Sequence, residues 1–126
     1  MPELALPSEE PRDGFALATL AARAADDKLA EMTVVLDVSK MLDIFDAFVI
    51  ASGQTARQVD AIVDAIEAST KSMFGRGPLR IEGRQDFSWV LMDYGDVLVH
   101  VFLAETRAFY DLEHLWTAAP RVAWES

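Results

Sequence analysis

Residues 87–103 read Phe87-Ser88-Trp89-Val90-Leu91-Met92-Asp93-Tyr94-Gly95-Asp96-Val97-Leu98-Val99-His100-Val101-Phe102-Leu103. The tetrapeptide Asp93-Tyr94-Gly95-Asp96 reads as a turn, and it divides two runs of strand-forming residues. Phe87–Met92 alternates in character, whereas Val97–Leu103 is almost wholly apolar, the pattern of a strand covered on both faces. Two strands joined by so short a turn pair antiparallel. A hairpin with one fully buried arm needs further layers around it.

The flanking sequence supplies those layers. Leu79–Glu82 reads as a short strand, preceded by a helix with clear boundaries. Thr55-Ala56-Arg57-Gln58 has the spacing of a capping box. Val59, Ile62, Val63, Ile66 and Met73 then form an apolar stripe, while Asp60, Asp64, Glu67 and Lys71 face water. Gly75 and Gly77-Pro78 end that helix. Further upstream, Thr33–Val38 and Phe48–Ala51 read as strands separated by the polar stretch 39–46. An alanine-rich helix is expected from Phe15 to about Ala30, with Asp13 as its N-cap. Downstream, a helix is expected from Thr106 to about Thr117 with Phe109, Leu112 and Trp116 on one side, and Pro120 begins a tail. The fold class is therefore α/β: a mixed five-stranded sheet with helices packed on it, in which strands separated by a helix run parallel.

The chain has 126 residues, enough for one domain with a real core and no need of a disulfide or metal. It contains no cysteine, which excludes disulfide scaffolds, thiolate metal sites and cysteine nucleophiles, and suits a reducing cytoplasm. Residues 1–14 read as a mobile acidic tail and do not have the composition of a signal peptide. No apolar run approaches the roughly 20 residues that a membrane span requires. Eleven basic against 21 acidic side chains leave a net charge of −10. That charge repels a phosphate backbone, so little direct nucleic-acid binding is expected, and a basic protein is the natural partner.

Candidate chemistry is sparse. His100 lies in an apolar strand on the face of Leu98 and Phe102 and reads as a core or interface residue, while His114 reads as a surface residue; neither has a ligand partner at metal spacing. Ser52-Gly53, between a strand and a helix, is where backbone donors cradle a phosphate. Yet the lysine of a Walker loop is missing, and so is the carboxylate pair that a nucleotidyltransferase places after its glycine-serine turn. Gly53 then simply relaxes a tight turn. Asp37, Asp43 and Asp46 flank the early strands and could gather round a metal or merely solvate a loop. Met41, Leu42, Ile44 and Phe45 in the same stretch read equally as core or as contact surface. Trp89 also reads either way. As an interface, Trp89, Asp93, Tyr94, Asp96 and His100 would give a patch with an aromatic centre and an acidic rim, suited to a basic protein surface.

These segments together resemble the ribosomal silencing factor family, also called Iojap-like. The similarity runs through Asp46-Ala47-Phe48-Val49-Ile50-Ala51-Ser52-Gly53, Arg57-Gln58-Val59, Glu82-Gly83, Trp89–Phe102, and Arg107 with Tyr110-Asp111-Leu112-Glu113 and Leu115-Trp116. It covers residues 15–118, the expected domain, with tails at 1–14 and 119–126 outside it and Trp124 unassigned. Ala47 departs from the family, which has an aromatic there.

The resemblance implies a nucleotidyltransferase-like fold without the catalytic motif, no enzymatic activity, and no cofactor. It implies a translational repressor that binds the large ribosomal subunit through its fourteenth protein and blocks joining of the small subunit when nutrients are scarce. Two alternatives stand beside it. One is a nucleotide-handling enzyme using the Ser52-Gly53 turn with nearby aspartates. The other is a scaffold that self-associates as a homodimer through a sheet edge or the apolar 97–103 region.

Overall fold

The computed structural model describes residues 12–125. Its elements are α1 (Arg12–Asp27), β1 (Glu31–Asp37), β2 (Ala47–Gly53), α2 (Ala56–Phe74), β3 (Arg80–Glu82), β4 (Trp89–Asp93), β5 (Val97–Leu103), α3 (Ala104–Tyr110) and α4 (Leu112–Leu115). The five strands form one mixed sheet in the order β1-β2-β5-β4-β3. The pair β2–β5 is parallel and the rest are antiparallel. The 93–96 turn behaves as its composition predicts, because Tyr94 N–H donates to the Val97 carbonyl at 2.9 Å and Gly95 takes φ 92°.

One face of the sheet is covered by α1 and α2. The odd-numbered residues Val97, Val99 and Val101 of β5 meet Val59, Ile62, Val63 and Ile66 of α2 and the Leu17, Ala18, Ala21 and Ala25 stripe of α1 in one core. Alanine on α1 leaves no long side chain to hold that helix away from α2 and the sheet. Tyr94 belongs to this core: it is 3% exposed and its hydroxyl shares a 2.9 Å hydrogen bond with the buried Thr70 of α2.

Several boundaries differ from expectation. The first helix starts at Arg12, so Asp13 lies within it and Arg12–Gly14 do not belong to a tail; the rest of the expected mobile tail lies outside the described residues. It also ends at Asp27, three residues early. Leu29 adopts φ 63°, and the Ala30 and Leu29 N–H groups close back on Ala25 and Asp26 in a Schellman pattern without a glycine. Met73 leaves the apolar stripe and is 68% exposed; Thr70, one turn earlier, is the last buried member. Phe87, with φ 59°, precedes β4 and is not part of it.

The C-terminal helix is the largest correction. Asp111, at φ 49°, divides it into α3 and α4. Leu112 and Trp116 pack inward, but Phe109, expected beside them, points outward and is 81% exposed. The final segment is not a free tail. Asp37 N–H donates to the Pro120 carbonyl and Val122 N–H to the Val35 carbonyl, each at 2.8 Å, so residues 120–122 cover the outer edge of β1. Trp124 anchors it, donating its indole N–H to the Thr33 carbonyl at 3.1 Å. Strand 97–103 lies at the centre of the sheet, with Leu98 and Leu103 its only partly exposed members.

Candidate functional site

The second face of the sheet carries the other candidate residues. Its cross-strand rows are Leu36–Phe48–Leu98–Asp93–Arg80, then Val34–Ile50–His100–Leu91–Glu82, then Ser52–Phe102–Trp89. Over β1, β2 and β5 this face is closed by Val38, Leu42, Phe45, Leu112, Trp116 and Ala119. The 39–46 stretch divides: Leu42 and Phe45 fold onto this core, while Met41 and Ile44 stay exposed. Toward β3 the cover thins. Phe45, Arg80, Glu82, Leu91, Asp93 and Leu98 line an open pocket of about 160 Å³.

Trp89 stands at the border between covered and open halves. Its ring stacks on Phe102 with centroids 4.8 Å apart and leans on Tyr110 at 5.0 Å. Its indole N–H donates to His100 Nδ1 at 3.2 Å. An accepting Nδ1 puts the proton of a neutral imidazole on Nε2, which is buried without a partner. Burial also pushes the His100 pKa down to about 4, so the ring is neutral in ordinary solution. Phe48 meets the same imidazole edge-on at 5.1 Å. His100 supports this aromatic floor from beneath and is not itself a surface contact.

The other three residues of the expected patch separate. Tyr94 turns to the opposite face, into the core under α2, and cannot meet a partner. Asp93 stays on the site face, but one oxygen accepts from Gly95 N–H at 2.8 Å and the other lies 3.6 Å from Arg80. Asp96, in the turn, holds Arg76 at 2.7 Å, and Arg76 also reaches the Tyr94 carbonyl. Both carboxylates are thus tied to the protein's own arginines and shape the hairpin before any partner arrives. The rim of the open pocket is mixed, with Arg80 beside Glu82 and Asp93.

The strand-to-helix turn at Ser52-Gly53 is filled from within. Ser52 Oγ donates to the Glu31 carbonyl and accepts from Arg107. Gln54 N–H donates to the Gln58 side-chain oxygen at 2.7 Å, and Thr55 caps α2 through Gln58 N–H. Asp37 is likewise occupied, accepting from both N–H and hydroxyl of Ser39. Burial, then the charges of Asp96 and Asp37, raise the Asp46 pKa. Among the described residues no group of three His, Cys, Asp or Glu is placed to hold a metal ion, and no helix is long and apolar enough to cross a membrane.

A family model described as "Ribosomal silencing factor during starvation" matches residues 9–126. The chain belongs to that family. The match takes in the C-terminal segment that covers β1. The ribosomal silencing factor of Halalkalibacterium halodurans is 42% identical over 109 residues, spanning 86% of this chain and 92% of that protein. A crystal structure of a Chromobacterium violaceum protein superposes with a TM-score of 0.78 at 34% identity, covering 86% of this chain and 88% of its own. The mouse protein named "Mitochondrial assembly of ribosomal large subunit protein 1" is 35% identical over 85 residues, which is 66% of this chain and 37% of that protein.

Within the family fold, the residues that sequence reasoning missed are Tyr110 and Phe109, whose rings meet edge-on 5.1 Å apart and continue the aromatic surface outward from Trp89. Their exposure follows from the break at Asp111, which no glycine or proline announces.

Proposed function

We propose that this protein is a translational repressor that acts in the cytoplasm without catalysing a reaction. It binds the large ribosomal subunit through the fourteenth ribosomal protein and thereby prevents the small subunit from joining, lowering translation when nutrients are limiting. The observation that carries the reading, beside family membership, is the half-covered sheet face. There Trp89, Leu91, Leu98 and Phe45 leave apolar area beside an open pocket, with Trp89 held rigidly by Phe102 and His100. A rigid aromatic next to an unfilled apolar pocket is the usual anchor of a protein interface. The net charge of −10 favours encounter with a basic protein and opposes adsorption to bare RNA.

The reading as a catalyst gains no support from the Ser52-Gly53 turn, whose hydroxyl and adjacent N–H are both engaged within the chain. Sucrose-gradient co-sedimentation with separated subunits tests the proposal. The protein should travel with large subunits, not small ones, and should suppress reassociation when added in excess. Association should slow as salt rises, because opposite charges steer the encounter. Sedimentation with protein-stripped ribosomal RNA alone, or equally with both subunits, would exclude the proposed partner.

A further inference from the structure

Arg107 lies on α3 and is 5% exposed, an unusual position for an arginine unless every donor is needed. Its Nη1 donates to Ser52 Oγ at 2.9 Å and to the Glu31 carbonyl at 3.3 Å. Nε and Nη2 both donate to one oxygen of Glu113, at 3.1 and 2.6 Å. One guanidinium thus joins the start of β1, the end of β2, α3 and α4.

The Glu113 partner is available only because the helix is broken. Residues six apart on a continuous helix lie roughly 240° from each other around its axis and cannot meet. Asp111 takes the left-handed conformation and returns its N–H to the Arg107 carbonyl at 2.8 Å, and this turn swings Glu113 back to the guanidinium. The same break fixes the two residues just before it. Tyr110 lies on Trp89, and Phe109 stands beside Tyr110 with almost all of its ring in water. Glu105 and Asp111, both exposed, flank these rings with negative charge. Aromatic faces with carboxylates around them suit arginine and lysine side chains, which stack on the rings and pair with the acids.

We propose that Arg107 is a positioning residue for the ribosomal interface: by tying α3 to the ends of β1 and β2 it holds Tyr110 and Phe109 in line with Trp89, and these three rings form one contact surface for the basic ribosomal protein. This rests on the function proposed above and extends its interface from the sheet onto α3.

The chain has two tyrosines, Tyr94 in the core and Tyr110 at the surface, so full-length protein labelled with fluorotyrosine gives two fluorine resonances. In Arg107→Met the Tyr110 resonance should move while that of Tyr94 stays, and affinity for purified large subunits should fall about tenfold or more. Arg107→Lys, which keeps a charge but not the planar fork, should recover only part of the affinity. Glu113→Gln and Phe109→Ala, both outside the cores, serve if Arg107→Met does not fold. Glu113→Gln should move the Tyr110 resonance, and Phe109→Ala should lose about tenfold in affinity with an unchanged melting temperature. A Tyr110 resonance that moves with no loss of binding, or full binding by Phe109→Ala, overturns the inference and leaves the proposed function standing. Wild-type protein that ignores large subunits removes both.

Discussion

Trp89 and His100 are diagonal neighbours across the β4–β5 pair, with the indole N–H donating to the imidazole Nδ1 at 3.2 Å. The bond holds the imidazole in one tautomer and the indole in one orientation. It also commits His100 to the neutral form, because a protonated Nδ1 could not accept.

Stability should therefore fall with acid in a way that His100 dominates before the carboxylates titrate. An unfolded histidine has a pKa near 6.5 and the folded one about 4. Above 6.5 both states are neutral and the full stability is present. As pH drops below 6.5 the unfolded state takes up the proton first, costing about 2 kcal/mol between pH 7 and pH 5. Urea unfolding of wild type and His100→Gln at these two pH values checks it: the wild-type loss should exceed the variant's by that amount. Parallel losses would mean the imidazole does not stay neutral on folding.

Tyr94→Phe should destabilise the protein by about 1 kcal/mol through loss of the bond to Thr70, and should bind large subunits as wild type does. Chemical denaturation beside co-sedimentation measures both. Weakened binding at wild-type stability would place this tyrosine at the surface after all.

Gly83→Ala should be severe. Gly83 has φ 93°, and an added Cβ would lie 2.1 Å from the Trp89 carbonyl oxygen, a backbone atom that cannot step aside. The cost should reach about 2 kcal/mol or more, with the start of β4 displaced. Near-ultraviolet circular dichroism would report the loss of the Trp89–Phe102 stack, and an unchanged spectrum would contradict the clash.

Asp96→Ala removes one partner of Arg76 at a partly exposed site, where ion pairs contribute little. A loss of only about 0.5–1 kcal/mol is expected, together with a shallower salt dependence of ribosome binding. Thermal melts and binding at two salt concentrations separate the effects. Binding with an unaltered salt slope would show that this carboxylate serves the hairpin alone.

The sequence was most legible where one rule acted alone. The capping threonine of α2, the 93–96 turn, the alternation of Trp89 against Val90 and the burial of strand 97–103 all follow from local chemistry, and the structure keeps them. What it hid was the work of tertiary contacts. Leu29 and Asp111 take left-handed conformations without being glycine, so α1 ends early and the last helix divides unannounced. Tyr94 looked like a turn residue because nothing local shows that Thr70, 24 positions away, waits for its hydroxyl. At the site, Trp89 packs against Phe102 and stays partly exposed, as either reading of its strand allows, but Asp93 and Asp96 are spoken for by Arg80 and Arg76, which only the folded chain brings near. Helical spacing set Phe109 on one side with Leu112 and Trp116, a grouping that the Asp111 break cancels.

The central claim is that the open half of the sheet face meets the fourteenth ribosomal protein, and calorimetric titration of that purified protein tests it most directly. Leu91 sits half-buried on the pocket floor, so Leu91→Arg places a like charge against a basic partner without emptying either core. Wild type should give saturable one-to-one heat, and Leu91→Arg should give none while keeping its melting temperature within a few degrees. Equal heats for the two proteins, or none from wild type, would contradict the account.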